Sequence, residues 1–295
     1  MIRPAVTSFT LKVVAIVGMT FNHVANIFAL QLPGWITVAL CSMGGLTFPD
    51  MAFLLCEGYR HTSDVQRYAR RLALFALVAQ VPYSLLWCAT ANVLVTLLMG
   101  LGILWADEHL RNRVAFGALF VGVLVASLWC DWGVIGPLMI YLFHRLHSQG
   151  ARKAVGLTML TAALALALPA ASNVIAALEG SNGAELSHAA LAGQAAVGAE
   201  GAVPDEALLQ TESPWAALLE TPSAAASSAT PSFTVEDAGA LASGLGALGY
   251  ATLGFGVAAL LLISYNGQRG RPLKWFFYIY YPAHLTILWA LAQVW

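Results

Sequence analysis

The sequence predicts an all-α integral membrane protein, a polytopic helix bundle of about nine spans (range eight to ten) with a cytoplasmic N-terminus. The first observation is composition: the 295 residues are 59% hydrophobic and only 10% charged, with a mean hydropathy of +0.73. Soluble domains carry about 25% charged residues, so this chain has too few charges to cover a water-exposed surface. Hydrophobic segments and the placement of cations are the other two observations. A net charge of −1 argues against a nucleic-acid partner, which needs clustered cations.

Nine segments approach the roughly 20 apolar residues that a spanning helix needs. In chain order they are 11–31, 35–58, 71–89, 92–106, 113–130, 132–145, 153–175, 238–264 and 273–294. The sixth is short and is expected deep in the bundle. The first should remain as a signal anchor, because its apolar run to Leu32 is longer than a signal-peptide core.

The cations decide the orientation, since Lys and Arg collect in short loops on the cytoplasmic side. All 14 fall in five places: Arg3 and Lys12; Arg60, Arg67, Arg70 and Arg71; Arg111 and Arg113; Arg145, Arg152 and Lys153; Arg269, Arg271 and Lys274. The alternate connections near 31–35, 88–92, 131 and 176–237 contain none. The pattern predicts a multi-pass protein of the plasma (inner) membrane, with its C-terminus and the 176–237 connection outside the cytoplasm.

Three regions follow from this topology: 1–175 as the first part of the membrane bundle with about seven spans, 176–237 as an extracytoplasmic insertion, and 238–295 as the last two spans. The insertion is a low-complexity segment with nine of the fifteen acidic residues and no Lys or Arg. Such a composition disfavours a packed core. It is either a tolerated disordered insertion or a substrate-capturing flap anchored by Trp215.

Polar residues inside the predicted spans are the functional candidates, because an ionisable group in a membrane is costly. Asn22, His23 and Asn26 share a face of the first helix, being three or four residues apart. Asp50 and Glu57 lie two turns apart on the second. Packing against a neighbouring helix could explain the histidine, and an interfacial ion pair with Arg60 and His61 could explain Glu57.

Further candidates lie at helix ends. Asn92 begins the fourth span, and Asp131 lies at an outer turn where it could cap the next helix. Asn266-Gly267 predicts a tight cytoplasmic turn. Tyr281 and His284 share a face of the last span, with His284 at nearly the depth of His23. A cationic cluster suited to phosphate precedes this span and consists of Arg269, Arg271 and Lys274.

Several runs resemble the TraX family of membrane proteins, whose namesake acetylates conjugative F-type pilin. They are LKVVAIVGMTFNHV, LTFPDMAFLLCEGYRHT, ARRLALFALVAQVPYSL, NVLVTLLMGLG, DWGVIGPLMIYLF and YNGQRGRPLKWFFYIYYPAHL. By this resemblance His23 matches the histidine of the first-helix motif, Glu57 the Glu-Gly, and Tyr281, Pro282 and His284 the closing Tyr-Pro-x-His. Asn22 stands where family members often have Asp, so a carboxylate partner for the imidazole is missing.

The resemblance implies an acyltransferase that uses acetyl-CoA as donor and acts on an amine or hydroxyl; no metal is expected. The acceptor would be a pilin-like protein N-terminus, or a glycan or lipid headgroup, at the bilayer. One of His23 and His284 is expected as the base; His23 is the preferred one, with His284 as the donor that polarises the carbonyl, and the reverse assignment stays open. The expected substrate-binding residues are Asn22, Asn26, Asp50, Glu57, Asn92, Asp131 and Tyr281, and the expected CoA-binding residues are Arg70, Arg71, Asn266, Arg269, Arg271 and Lys274.

Two other classes of function stay open. The first is a proton-coupled transporter or flippase, in which Asp50, Glu57 and the two histidines form the pathway. The second is a non-catalytic membrane assembly factor, in which the histidines have no chemical role. Binding of acetyl-CoA separates acyl transfer from both.

Overall fold

The computed structural model describes residues 6–87, 90–179, 235–271 and 274–294. Apart from short turns and two isolated bridges, these ranges are helical, which confirms the all-α prediction. The helices are α1 (Ser8–Ile27), α2 (Gly34–Gly44), α3 (Thr47–His61), α4 (Val65–Leu86), α5 (Val93–His109), α6 (Arg113–Ala126), α7 (Ile135–Leu146), α8 (Ala151–Glu179), α9 (Val235–Gly249), α10 (Phe255–Ile263) and α11 (Lys274–Ala292). The predicted insertion, Trp215 included, lies mostly outside the described residues.

Each of the nine predicted segments corresponds to a helical pass in the described ranges. α2 and α3 form one broken pass, and α9 continues into α10 through a π-helical turn, Tyr250–Gly254. Four passes are long and apolar enough to cross a membrane: Ser8–Ile27, Gly34–His61, Ala151–Ile175 and Leu241–Ile263. The chain is therefore a membrane protein by length and composition of its helices. The crossing of the other passes and the side of the N-terminus stay predictions.

Polar side chains begin several helices by accepting hydrogen bonds from first-turn amides, as N-caps do. Thr7 caps α1 and Asp64 caps α4. Asn92, which the sequence places at the start of a span, caps α5 by accepting from Leu94 N at 3.0 Å. Asp131 does not cap α7: the residue before that helix is Val134, which makes no side-chain cap. Two residues of the turn separate Asp131 from that position, so the capping prediction was wrong.

The core consists of two clusters of buried side chains. The larger holds α3, α5, α7, α8 and α10 together. Trp132 enters it from the turn before α7, stacked on Phe48 with ring centroids 4.1 Å apart, at a φ of 75° that bulky residues rarely adopt. The smaller cluster joins α1, α4 and α11, and comprises Met19, Ala79, Tyr83, Trp87, Tyr281 and Leu285.

The break between α2 and α3 requires glycine. A Cβ at Gly45 would overlap the carbonyl of Tyr250 in the π-helical turn and come 3.1 Å from Gly254 Cα. Gly254 in turn approaches the backbone of Ser42 and Gly45. Two backbones in direct contact leave no room for side chains, so the broken pass and the π-helical turn fix one another.

The cation-bearing connections meet at one end of the bundle, which we call the basic end. Asp107 pairs there with Arg113 at 3.2 Å and with Arg145 at 3.5 Å. The backbone amide of Phe9 donates to the carbonyl of Arg269 at 3.1 Å, which places the α10–α11 loop beside the start of α1. The other end, called the opposite end, contains the bridge between Ala91 and Cys130. This segregation is what the predicted topology requires.

Candidate functional site

The two predicted catalytic histidines contact each other. His23 Nδ1 lies 2.8 Å from His284 Nε2, and the two rings are almost parallel, at an interplanar angle of 4°. The side chains are only 7% and 6% exposed, respectively. The two histidines, which the sequence places at nearly the same depth, are therefore joined by a direct hydrogen bond between α1 and α11. We call this pair the histidine dyad.

Hydrogen bonds around the dyad indicate its tautomers. His284 Nδ1 lies 3.0 Å from the carbonyl oxygen of Tyr280, which can only accept, so this nitrogen carries a proton. In a neutral ring His284 Nε2 is then the acceptor, and His23 Nδ1 must donate to it. His23 Nε2 consequently keeps an unprotonated lone pair, assigned here from the hydrogen-bond network.

Aromatic side chains surround the dyad. The ring of Tyr280 stacks on His284 with centroids 5.1 Å apart, and Trp87 lies 5.2 Å from His23. Tyr280 is fixed by a 2.8 Å hydrogen bond between its hydroxyl and Thr20 Oγ1. These contacts hold both imidazoles in one orientation and keep the dyad in an apolar, enclosed environment.

Tyr281 belongs to the same cluster, as its i, i+3 spacing from His284 suggested. Its ring centroid lies 5.6 Å from that of His284. Its hydroxyl is buried without a hydrogen-bond partner among the described residues. The ring thus packs against the dyad, while the hydroxyl lies near the backbone amide of Val93 and within electrostatic range of Tyr83.

Asp131 lies at the opposite end, near the dyad's aromatic surroundings. Its backbone amide donates to the carbonyl of Ala91 at 2.7 Å, and Thr96 Oγ1 donates to its carbonyl at 2.5 Å. Its charge lies within electrostatic range of the hydroxyls of Tyr83 and Tyr281. The fold thus places a carboxylate at the opposite end, separated from the dyad by tyrosines.

Three predicted site asparagines serve the scaffold. Asn22 packs against Gly44, where an added Cβ would lie 2.5 Å from Asn22 Cβ. Asn26 Nδ2 donates to the backbone carbonyl of Asn22 at 2.8 Å. Asn92 is completely buried and joins Gln80 through its amide at 2.8 Å. None of these contacts reaches the dyad.

The two carboxylates of α3 have different surroundings, and neither is bonded to the dyad. Glu57 accepts from Arg60 at 2.9 Å and lies 3.0 Å from His61 Nε2, the ion pair considered from the sequence. Asp50 is completely buried, and neither carboxylate oxygen has a hydrogen-bond partner in the described part of the chain.

The predicted CoA-binding cations divide between two surfaces. Arg71 lies over the ring of Tyr68 at 5.9 Å and beside the hydroxyl of Tyr278 on α11, whereas Arg70 is exposed on another face of α4. Arg269 and Arg271 are exposed in the loop before α11. The side chain of Lys274 lies outside the described residues.

Asn266 forms the predicted tight turn of that loop. Its Oδ1 accepts from the amide of Gln268 at 2.9 Å, and Gly267 adopts a φ of 76°. The side chain thus shapes the loop that carries Arg269 and Arg271.

Sequence reasoning missed Lys12, Trp87 and Tyr280. Lys12 Nζ lies 5.6 Å from the ring centroid of Phe277, so it joins α11 near the basic end. Tyr280 lies four residues before His284, a helical spacing that could have indicated it. Trp87 follows α4 and has no periodic relation to either histidine, so no sequence signal singled it out.

Comparison with known proteins identifies the family. A family profile described as TraX protein matches residues 8–200 and 216–292. The chain is 32% identical over 185 residues to the probable fimbrial assembly protein FimC, serogroup H1, of Dichelobacter nodosus, covering 58% of this chain and 75% of that protein. No solved structure matches significantly. Since the profile covers most of its length, the chain belongs to the TraX protein family.

Proposed function

We propose that the chain is a membrane acyltransferase that moves an acetyl group from acetyl-CoA to an acceptor amine at the opposite end of the bundle. The family and the fimbrial relative support a membrane protein related to pilin assembly. The observation that carries the finer proposal is the histidine dyad, a buried base without a structural ion pair. A pilin-like N-terminus is the acceptor that the family suggests, with a glycan or lipid headgroup as the other candidate.

In this proposal His23 is the general base. Its Nε2 carries the lone pair that the dyad leaves free. A positioned imidazole that transfers a proton typically raises the reaction rate by about 10²–10⁴-fold. His284 has both ring nitrogens engaged, one with His23 and one with Tyr280. It is therefore a positioning residue, which replaces the carbonyl-polarising role expected from sequence.

His23 accepts one proton during the proposed reaction and gives it back before the end. An acceptor ammonium first releases one proton to solvent, and its nitrogen then attacks the thioester carbonyl carbon while His23 Nε2 takes the second proton. The carbon–sulfur bond breaks, and His23 returns that proton to the leaving thiolate. While His23 is charged, its Nδ1–H remains bonded to His284, as an orienting group does in a catalytic triad.

The donor would enter from the basic end. Arg71, Arg269 and Arg271 supply charge for its phosphates, and Lys12 lies on the same helix as the base. His23 follows Lys12 by eleven residues, or about 16 Å along the helix, a distance suited to the extended pantetheine arm. Glu57 is committed to Arg60 and His61 and has no part in this proposal.

The acceptor would enter from the opposite end. Asp131 is the acidic side chain near the dyad's aromatic neighbours there, so it is the candidate partner for an acceptor ammonium. Tyr281, whose ring packs against His284 and whose buried hydroxyl has no acceptor among the described residues, is the candidate donor to the developing oxyanion, as preorganised donors are in acyl transfer.

A proton-coupled transporter is the second candidate, favoured by one observation. Asp50 is a completely buried carboxylate without a hydrogen-bond partner in the described ranges, and buried acids inside membranes often carry protons. The broken pass formed by α2 and α3 is also a feature of transporter sites. This candidate requires Asp50, whereas acyl transfer does not.

The experiment is acetyl-CoA-dependent labelling of membranes that contain the chain. Membranes are incubated with isotopically labelled acetyl-CoA, and mass spectrometry identifies the labelled product. Label on an acceptor that requires the intact chain is the expected result. Absence of any label, together with no binding of acetyl-CoA to the purified chain, contradicts the proposal and favours the transporter or the assembly factor.

A further inference from the structure

An apolar groove runs between α4 and α5, away from the histidine dyad. Its volume is about 340 Å³, and the side chains that line it are Ala73, Ala76, Leu77, Gln80, Ala91, Val95 and Leu98. Ala73 and Ala76 on α4, with Ala91 just before α5, leave open the space that larger side chains would fill. The volume is near the lower bound of about 300 Å³ for small-molecule sites, which suits a single hydrocarbon chain.

The lining of the groove offers an occupant no polar group. Gln80 is the polar residue of the lining, and its amide is already satisfied: Oε1 accepts from the amide of Asn92 at 3.0 Å, and Nε2 donates to the carbonyl of Thr90 at 3.0 Å. These bonds clamp α4 to α5 at the opposite end. Leu77 is 72% exposed beside the groove, so the groove opens sideways, where a membrane protein meets lipid.

A cation lies at the basic end of this groove. Arg70, Ala73, Leu77 and Gln80 are separated by three, four and three residues, so they share one face of α4. Arg70 is exposed at the start of that row, about 4.5 Å along the axis from Ala73. Arg71, by contrast, contacts the α11 side of the same helix. A positive charge directly below an apolar groove matches the two ends of an anionic phospholipid.

We propose that this groove is a binding site for an anionic phospholipid, whose acyl chain lies between α4 and α5 and whose phosphate meets Arg70. The site does not depend on the proposed acyl transfer. It also removes Arg70 from the set of cations available to the CoA phosphates.

The test reconstitutes the full chain in nanodiscs of equal parts dioleoyl phosphatidylglycerol and dioleoyl phosphatidylcholine. After release into mild detergent, native mass spectrometry measures the lipid retained on the protein. Wild type is expected to retain phosphatidylglycerol. Arg70→Gln should lower that retention about fivefold, the effect of one cation at an anionic membrane surface.

Filling the groove should lower retention of both lipids. Ala73→Phe fills it from α4 and Val95→Phe from α5, so the test survives if one variant fails to fold. The matched controls are Arg152→Gln, an exposed arginine of α8, and Ala118→Phe on the exposed face of α6. Wild-type retention in Arg70→Gln and in the folded groove variants overturns the proposal, as does an equal loss in the controls.

Discussion

At the scale of single residues, the hydrogen bond between His23 and His284 explains how a base can work without a carboxylate partner. The resemblance placed Asn22 where relatives often have Asp, and Asn22 packs against Gly44 instead. His284 takes the orienting position from another helix, 261 residues away in sequence. Helical depth predicted that the two imidazoles lie at one level, but their direct contact and tautomers depend on tertiary packing that sequence alone does not contain.

The first prediction concerns His284. If His284 positions His23 as proposed, His284→Gln should lower turnover by about 10–100-fold, the cost of losing an orienting second-shell partner at metal sites, and should flatten the dependence of turnover on pH. His109→Gln is the control, since that exposed histidine bonds the carbonyl of Trp105 on its own helix and stacks on the Trp105 ring. Turnover and its pH profile in detergent decide the point; a folded His284→Gln variant with wild-type values for both excludes the positioning role.

The second prediction concerns Asp50. An unpaired buried charge is expensive, so Asp50→Asn should leave thermal stability unchanged or raise it by about 1 kcal/mol or more, with acyl transfer intact. Thermal unfolding and labelling with acetyl-CoA are measured on the same sample. A stable variant that has lost labelling would show that acyl transfer needs Asp50, which contradicts the account.

At the scale of the elements, hydrophobic length predicted every helical pass, whereas the interruptions within passes were predicted only in part, from Pro49, which removes one backbone hydrogen bond. The sequence predicts one continuous span here, at 35–58, because most of the residues from Gly34 to His61 are apolar. Its break at Gly45 exists because the π-helical turn at Tyr250, more than 200 residues later, packs directly on the backbone. Such an approach depends on two distant segments at once, and neither segment's local pattern reveals it.

The third prediction tests that approach. Gly45→Ala places a methyl group against the carbonyl of Tyr250, so it should destabilise the protein by about 1–3 kcal/mol through overpacking. Gly256→Ala is the control, because nothing lies within 4 Å of the added Cβ. Thermal unfolding in the same detergent compares them. Equal melting temperatures would show that the contact between Gly45 and the π-helical turn is loose.

At the scale of the whole molecule, the cations lie at one end of the bundle. Both the predicted topology and the proposed reaction depend on this arrangement. The described cation-bearing connections gather at the basic end, as the alternation along the sequence predicted, and the dyad lies between the two ends. The sequence could predict the two-sided arrangement because loop charge is a local signal. It could not predict that Arg70 and Arg71 serve different surfaces, since this depends on which helix packs against α4.

The fourth prediction is topological. Reporters after Trp295 and near Ala195 should report the outside, and a reporter near Asp64 should report the cytoplasm, because cations remain on the cytoplasmic side. Reporter fusions that respond to compartment make the measurement. A cytoplasmic signal near Ala195 would contradict the nine-span topology and the sidedness of the proposed reaction.

The fifth prediction concerns the donor. The double variant Arg269→Ala, Arg271→Ala should weaken acetyl-CoA binding more than maximal turnover, since phosphate contacts are equal in ground and transition states. The difference should shrink at high salt, which screens exposed charges. Arg152→Ala, Lys153→Ala is the control from another connection of the basic end. Lost turnover at saturating donor with unchanged affinity would remove this cluster from the donor site.

The central claim is that His23 acts as the base, and one paired measurement tests it most directly. Donor affinity and turnover are measured on the same purified His23→Gln sample, because glutamine keeps bulk and hydrogen bonding but cannot take the proton. The account predicts unchanged acetyl-CoA affinity and turnover lowered by about 10²–10⁴-fold. A well-folded His23→Gln variant with full turnover would contradict it.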